Sequence, residues 1–178
     1  MHTSAEVAVA MASAMALAWA VHRWLGFVIA VESVSMAPTL APGQRLLARR
    51  RRATRPLRRG DVVVVASVEV GRPVIKRVVG LPGEHIDVGA DGRTRVGGHV
   101  LDEPYVVHVG GRPGAFEVPA GHVLLLGDNR AGSNDSRVWR EPYLPVSAIL
   151  GRVVPVGWSS AAAGPGPGSP RCAAAPTG

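Results

Sequence analysis

One cysteine, one lysine and few aromatic side chains (4%) occur in the 178 residues, and each scarcity excludes a class of protein. Cys172 lies alone in a tail of Ala, Gly and Pro. The chain therefore has no intramolecular disulfide and no cysteine cluster for a metal, and the redox compartment stays open. The six histidines (His2, His22, His85, His99, His108, His122) are scattered, with no pair at helical or zinc-finger spacing, so neither a metal nor a cofactor is expected. Few aromatics beside 22 Gly, 15 Pro and many Val describe a turn-rich β protein more than a helical bundle. The length suits one domain with a single modest core.

Acidic residues are also in deficit, leaving a formal net charge of +7. Much of the excess lies in RRRRATRPLRR, residues 49–59. No aromatic residue interleaves it, which fits a solvated or membrane-surface segment better than a base-reading one, so nucleic acid is not the expected partner.

Residues 3–21, TSAEVAVAMASAMALAWAV, are almost entirely apolar, and a helix of that length covers roughly the hydrocarbon thickness of a bilayer. A cleaved signal peptide is the alternative, because Ala18-Trp19-Ala20 has the small-x-small form; a buried helix is another. No Lys or Arg precedes the apolar run, which argues against the cleaved form. The expectation is an uncleaved transmembrane anchor at 1–23, a β-rich domain at 24–158 and a disordered Ala/Gly/Pro tail at 159–178. By loop charge alone the arginines that follow the apolar run would stay in the cytoplasm.

Strands are expected at 24–31, 45–49, 61–68, 73–79, 85–88, 93–96, 105–109, 122–126 and 150–156. Between them stand Pro42-Gly43, Arg59-Gly60, Pro82-Gly83, Asp91-Gly92, Pro113-Gly114 and Gly127-Asp128-Asn129 as turn signals. Many short strands between such turns imply a folded-over sheet or barrel.

Of 20 basic residues only Lys76 is lysine. A guanidinium cannot lose its proton in a protein, whereas a lysine amine serves as a base once burial lowers its pKa toward neutrality. In PVIKRVVG, alternation puts Lys76 on one face with Val74 and Val78, and Ile75, Arg77 and Val79 on the other. Lys76 is dry if that face is buried, or guards a strand edge if it is not. A dry lysine needs a hydroxyl to deprotonate, and VESVSMAPTL offers Ser33 and Ser35; Ser with Lys is an established nucleophile–base pairing.

SVSMAPTL resembles the S-x-S-M-x-P-T-L box of type I signal peptidases, and PVIKRVVGLPGE resembles their lysine box. GDVVV (60–64), GGHVLDEPY (97–105) and LGDNRAGSNDSRVW (126–139) are similar to further boxes of that family, in family order over residues 27–153. The resemblance implies a signal-peptidase-like β catalytic domain on an N-terminal membrane helix. It implies Ser35 as nucleophile, Lys76 as general base, Ser33 as oxyanion donor and Ser133 as the residue that orients the amine. Asp128 and Arg137 match a pair that holds the last loop under the site, and Ser136 can join them. Plain turn chemistry is the alternative for Asp128, Asn129 and Asp135, and Asn129 is read that way. Val34 departs from the glycine common between the two serines, and Arg140 from the glycine after the tryptophan.

The activity so implied is removal of signal peptides from exported preproteins, cutting after small residues, with pockets drawn from the 27–31 and 61–79 strands. Membrane lipid and the translocation machinery are the other expected partners. The family places its catalytic domain outside the cytoplasm, against the charge rule, and the expectation follows the family. A maturation peptidase for one precursor and a non-catalytic, lipid-tethered β domain are the alternatives. A self-cleaving repressor would need a helix-turn-helix, for which residues 1–30 are too apolar.

Overall fold

The computed structural model describes residues 4–24, 26–51 and 55–154. The expected 159–178 tail lies outside them. One helix, α1 (Ser4–Trp24), precedes eleven strands in two antiparallel sheets, so the protein is mainly β. The larger sheet contains β1 (Phe27–Ala30), β2 (Arg45–Arg50), β3 (Val62–Ser67), β4 (Arg72–Gly80), β9 (His122–Leu126), β10 (Tyr143–Pro145) and β11 (Ile149–Val153), in the order β1-β2-β11-β3-β4-β9-β10. The smaller sheet contains β5 (His85–Val88), β6 (Thr94–Val96), β7 (His99–Val100) and β8 (Gly114–Glu117), in the order β7-β6-β5-β8.

Strand β3 shows why the fold holds together. Its alternating side chains point to opposite faces: Val62 and Val64 enter one apolar cluster with Met36, Leu40 and Ile75, while Val63 and Val65 enter a second with Val78, Leu125 and Trp139. All four valines are fully buried, each contributing about 1.5–3 kcal/mol of transfer free energy. A continuous valine run is stable there only because both faces are covered. Val79, Ile86 and Leu124 join the two sheets through a third cluster. Gly60 and Gly83 turn the chain at φ near +80°, a region that Cβ-bearing residues avoid.

Several expectations change. The first strand begins at Phe27, because α1 continues through Trp24. Residues 105–109 form no strand: Tyr105 packs inward, Val107 and Val109 are exposed, and Val106 N–H closes a turn on Glu103. Pro113-Gly114 opens β8, which pairs with β5 from Gly114 to Glu117. Among the described residues, no helix is long and apolar enough to cross a membrane.

Two of the strand edges left unpaired among the described residues lie on β1 and β4. β1 bonds only to β2 and borders the sheet. β4 bonds to β3 from Arg72 onward but to β9 only from Arg77, leaving its Arg72–Lys76 half open on that side.

Candidate active site

The 3₁₀ turn Val34–Met36 carries Ser35 away from β1, closed by Ala37 N–H to the Val34 carbonyl and Leu40 N–H to the Met36 carbonyl. Met36 anchors this turn in the core. Val34 points outward, 54% exposed, and no described non-glycine residue has positive φ. The position therefore needs neither glycine's conformational freedom nor its small size, which accounts for the β-branched residue.

Lys76 lies on β4 and is 3% exposed. Val74 and Val78, which flank it at two-residue spacing, belong to the second apolar cluster, so the face is covered as the buried alternative required. Lys76 Nζ donates to Ser35 Oγ at 2.8 Å, and Ser33 Oγ is 3.1 Å from Ser35 Oγ. Burial is the main cause that lowers the Lys76 pKa from 10.5 to about 8; Arg137 adds to it, while Asp135 and Asp128 oppose it. A cleft of about 230 Å³ ends at these groups, with Ile29, Ala30 and Val31 on one wall and Pro73, Val74 and Ile75 on the other. Those are the open edges of β1 and β4, from the two segments expected to form the pockets.

The loop after β9 supports the site differently from expectation. Asp128 and Arg137 do not pair with each other. Asp128 accepts from Arg77 Nε at 2.8 Å and Nη2 at 2.5 Å, and from Thr39 Oγ1 at 2.5 Å. Arg137 instead grips Asp135 through Nε and Nη2 at 2.8 and 2.9 Å, and donates to the carbonyls of Gly110 and Arg130. Arg137 and the Gly127 N–H hold the Asp135 carboxyl below its ordinary range despite burial. Ser136 Oγ accepts from Leu125 N–H, tying the loop to β9.

Ser133 Oγ is buried, makes no hydrogen bond of normal geometry, and leans toward the Asp135 carboxylate. Its neighbour Gly127 packs so closely that a Cβ there would meet Ser133 Oγ at 2.1 Å and the Ser35 carbonyl at 2.5 Å. Asn129 closes its own turn by accepting from Gly132 N–H. It also bonds the Ser35 turn, through N–H to the Ser35 carbonyl and Nδ2 to the Val34 carbonyl, contacts beyond the turn chemistry expected of it. Arg140, the other departure, is exposed.

Two buried arginines were not expected to contribute. Arg77 sits under the site with its guanidinium 3.8 Å from the centroid of the Tyr105 ring. Arg130, 1% exposed, bonds the Gly127 carbonyl, Thr94 Oγ1 and Glu103 Oε1, linking the loop to the smaller sheet. Their only sequence signal is their position inside the matched boxes, next to Lys76 and Asn129.

Known proteins resemble this chain in sequence and fold. A family model described as signal peptidase, peptidase S26, matches residues 4–158. Signal peptidase I of Leptolyngbya laminosa is 38% identical over 138 residues, 72% of this chain and 66% of the relative. Signal peptidase I of Bacillus licheniformis is 33% identical over 136 residues, 70% of this chain and 73% of the relative. A crystal structure of a signal peptidase I from Enterococcus faecalis superposes with a TM-score of 0.50 at 25% identity, covering 56% of this chain and 98% of that one. The chain thus spans about two thirds of the length of the first of these relatives.

Proposed function

The chain belongs to the signal peptidases of the peptidase S26 family, serine endopeptidases that act on the signal peptides of preproteins, and we propose that Ser35 is its nucleophile and Lys76 its general base. The observation that carries this reading is a buried lysine amine 2.8 Å from a serine hydroxyl at the end of a cleft between two open strand edges.

An extended substrate adds its backbone to those edges, in the manner of strand augmentation, and its small side chains enter the apolar walls. With the amine neutral, the 2.8 Å contact carries the Ser35 proton to Lys76 as Oγ attacks the scissile carbonyl carbon. The Ser35 N–H and the Ser33 hydroxyl stabilise the oxyanion; a donor of this kind is worth about 3 kcal/mol of barrier. Lys76 returns the proton to the departing amine, leaving an ester on Ser35. Water that has given a proton to Lys76 then releases the acyl product. Asp128, Arg137 and Ser136 hold the loop that covers the amine; Ser133 Oγ, which makes no hydrogen bond of normal geometry in this structure, would have to turn toward Lys76 to orient it.

Residues 1–23 anchor the domain in the plasma membrane, with the catalytic side extracytoplasmic. Support comes from α1, whose Val9, Met11, Met15, Leu17 and Trp19 are all about two thirds exposed, an apolar surface that the other described residues leave uncovered. The substrates are exported preproteins, met beside the translocation machinery.

In the test, purified full chain is mixed with a presecretory protein and the product's new N-terminus is sequenced. Wild type is expected to cut after a small residue and Ser35→Ala to leave the precursor intact; cleavage by Ser35→Ala at the wild-type rate would refute the assignment. For topology, Arg112→Cys in an exposed loop is expected to react with an impermeant thiol reagent on intact cells. Reaction only after lysis would place the domain in the cytoplasm, where the loop charges would have it.

A further inference from the structure

Of the described residues in the arginine run, Arg49, Arg50, Arg51, Arg55 and Arg58 line neither the cleft nor the apolar clusters. β2 ends in it, and the pairing of Phe27 with Ala48 puts Arg49 and Arg50 beside the point where α1 hands the chain to β1. Arg50 lies 5.4 Å from the centroid of the Phe27 ring. On the next strand, Arg152 is paired with Arg49. Arg51, Arg55 and Arg58 all act on the Arg152 guanidinium, whose pKa is lowered, chiefly by burial and next by these like charges. Asp61 alone opposes them, 2.8 Å from Arg152. Arg51 Nε is buried without a hydrogen bond. The outer face of the same strands exposes Val28 and Leu47, directly opposite each other, and Leu150.

Like charges gathered this closely weaken the fold unless a counter-charge relieves them. Exposed aliphatic side chains beside them suit hydrocarbon better than a nucleic-acid backbone. We propose that Arg51, Arg55, Arg58 and Arg152 form a binding surface for the headgroups of anionic phospholipids, set where α1 leaves the bilayer. This rests on the anchor reading: if α1 crosses the membrane, its C-terminal end brings these guanidiniums to headgroup level. Lipid phosphates then bind the arginines through paired N–H donors, and Val28 and Leu47 meet the acyl boundary.

Detergent-solubilised full chain is exchanged into mixed micelles of phosphatidylglycerol and phosphatidylcholine, and the lipid retained per protein is measured after gel filtration. Wild type is expected to retain phosphatidylglycerol preferentially, less so as salt screens the charges. The variant Arg51→Gln/Arg55→Gln/Arg58→Gln should lose that preference by about tenfold or more, with cleavage of a soluble peptide unchanged. A second variant, Arg49→Gln/Arg55→Gln, alters exposed side chains only and should lose part of it. No preference in wild type, or an equal preference in both variants, would overturn the proposal. So would variants that lose binding to a single-stranded oligonucleotide while keeping phosphatidylglycerol. Carbonate extraction of membranes separates the two readings. A chain that stays in the membrane but does not select phosphatidylglycerol keeps the anchor and loses the headgroup site; a chain that is extracted yet selects it does the reverse.

Discussion

Lys76→Arg is expected to lower kcat by about a thousandfold or more, within the 10²–10⁴ range of general acid–base catalysis compounded by two proton transfers. The substitution keeps the positive charge and most of the side-chain length, so a merely structural lysine would survive it. A base would not, because arginine retains its proton under all accessible conditions. The pH profile provides the matching test. Only the neutral amine accepts a proton, so kcat/KM of wild type should rise with pH and level off above about 8, where burial has placed the Lys76 titration. A profile flat from pH 6 to 9 would remove Lys76 from the mechanism. Stability follows the same equilibrium with its own sign. Below pH 8 the amine is charged in folded and unfolded chains alike, and folding carries the full burial cost; between about 8 and 10.5 only the unfolded chain still holds the proton, so stability rises with pH across that window.

The second large effect falls on stability. Asp128→Asn removes the carboxylate that Arg77 grips with two nitrogens, and both residues are buried. An uncompensated guanidinium at that depth costs about 3–5 kcal/mol, and a domain of this size should then lose roughly 10 °C or more in Tm. Thermal unfolding of the purified variant measures it. The double variant Arg77→Met/Asp128→Leu is expected to recover most of the loss, since a buried pair replaced by apolar groups of similar volume is often neutral. If Asp128→Asn unfolds within about 2 °C of wild type, the pair contributes nothing and the Asp128 carboxylate is dispensable to the fold.

What the sequence reveals, and what it hides, depends on how local the determining contact is. Strands β2, β3, β4, β5 and β9 are legible because alternation and flanking turns lie within a few residues of each other. YVVHV at 105–109 has the composition of a strand and none of its structure: Tyr105 is held inward by Arg77 and by its hydroxyl bond to Glu103, and Val107 and Val109 find no partner. GAFE at 114–117 has the composition of a loop, yet β5 supplies a partner edge. In the site, Ser35 and Lys76 are legible because their boxes fix identity and spacing. Arg77 and Arg130 are not, for they are two of many arginines and only long-range packing distinguishes them. The partners of Asp128 and Arg137 are not legible either: Asp128 is taken by Arg77, 51 residues away, and Arg137 by Asp135, two residues away, and only packing decides between them.

The contact between Asn129 N–H and the Ser35 carbonyl joins parts of the chain that are made at different times. A nascent chain that ends before His122 already holds Ser35 and Lys76. It has neither β9, which pairs with β4 just beyond Lys76, nor the loop whose packing keeps the amine dry. Such a chain leaves Lys76 hydrated and protonated, and Ser35 without its frame. Proteolytic competence therefore arrives only once β9 and the loop after it have been made, so a chain that stops short of them has no means of cutting the unfolded segments around it, its own included.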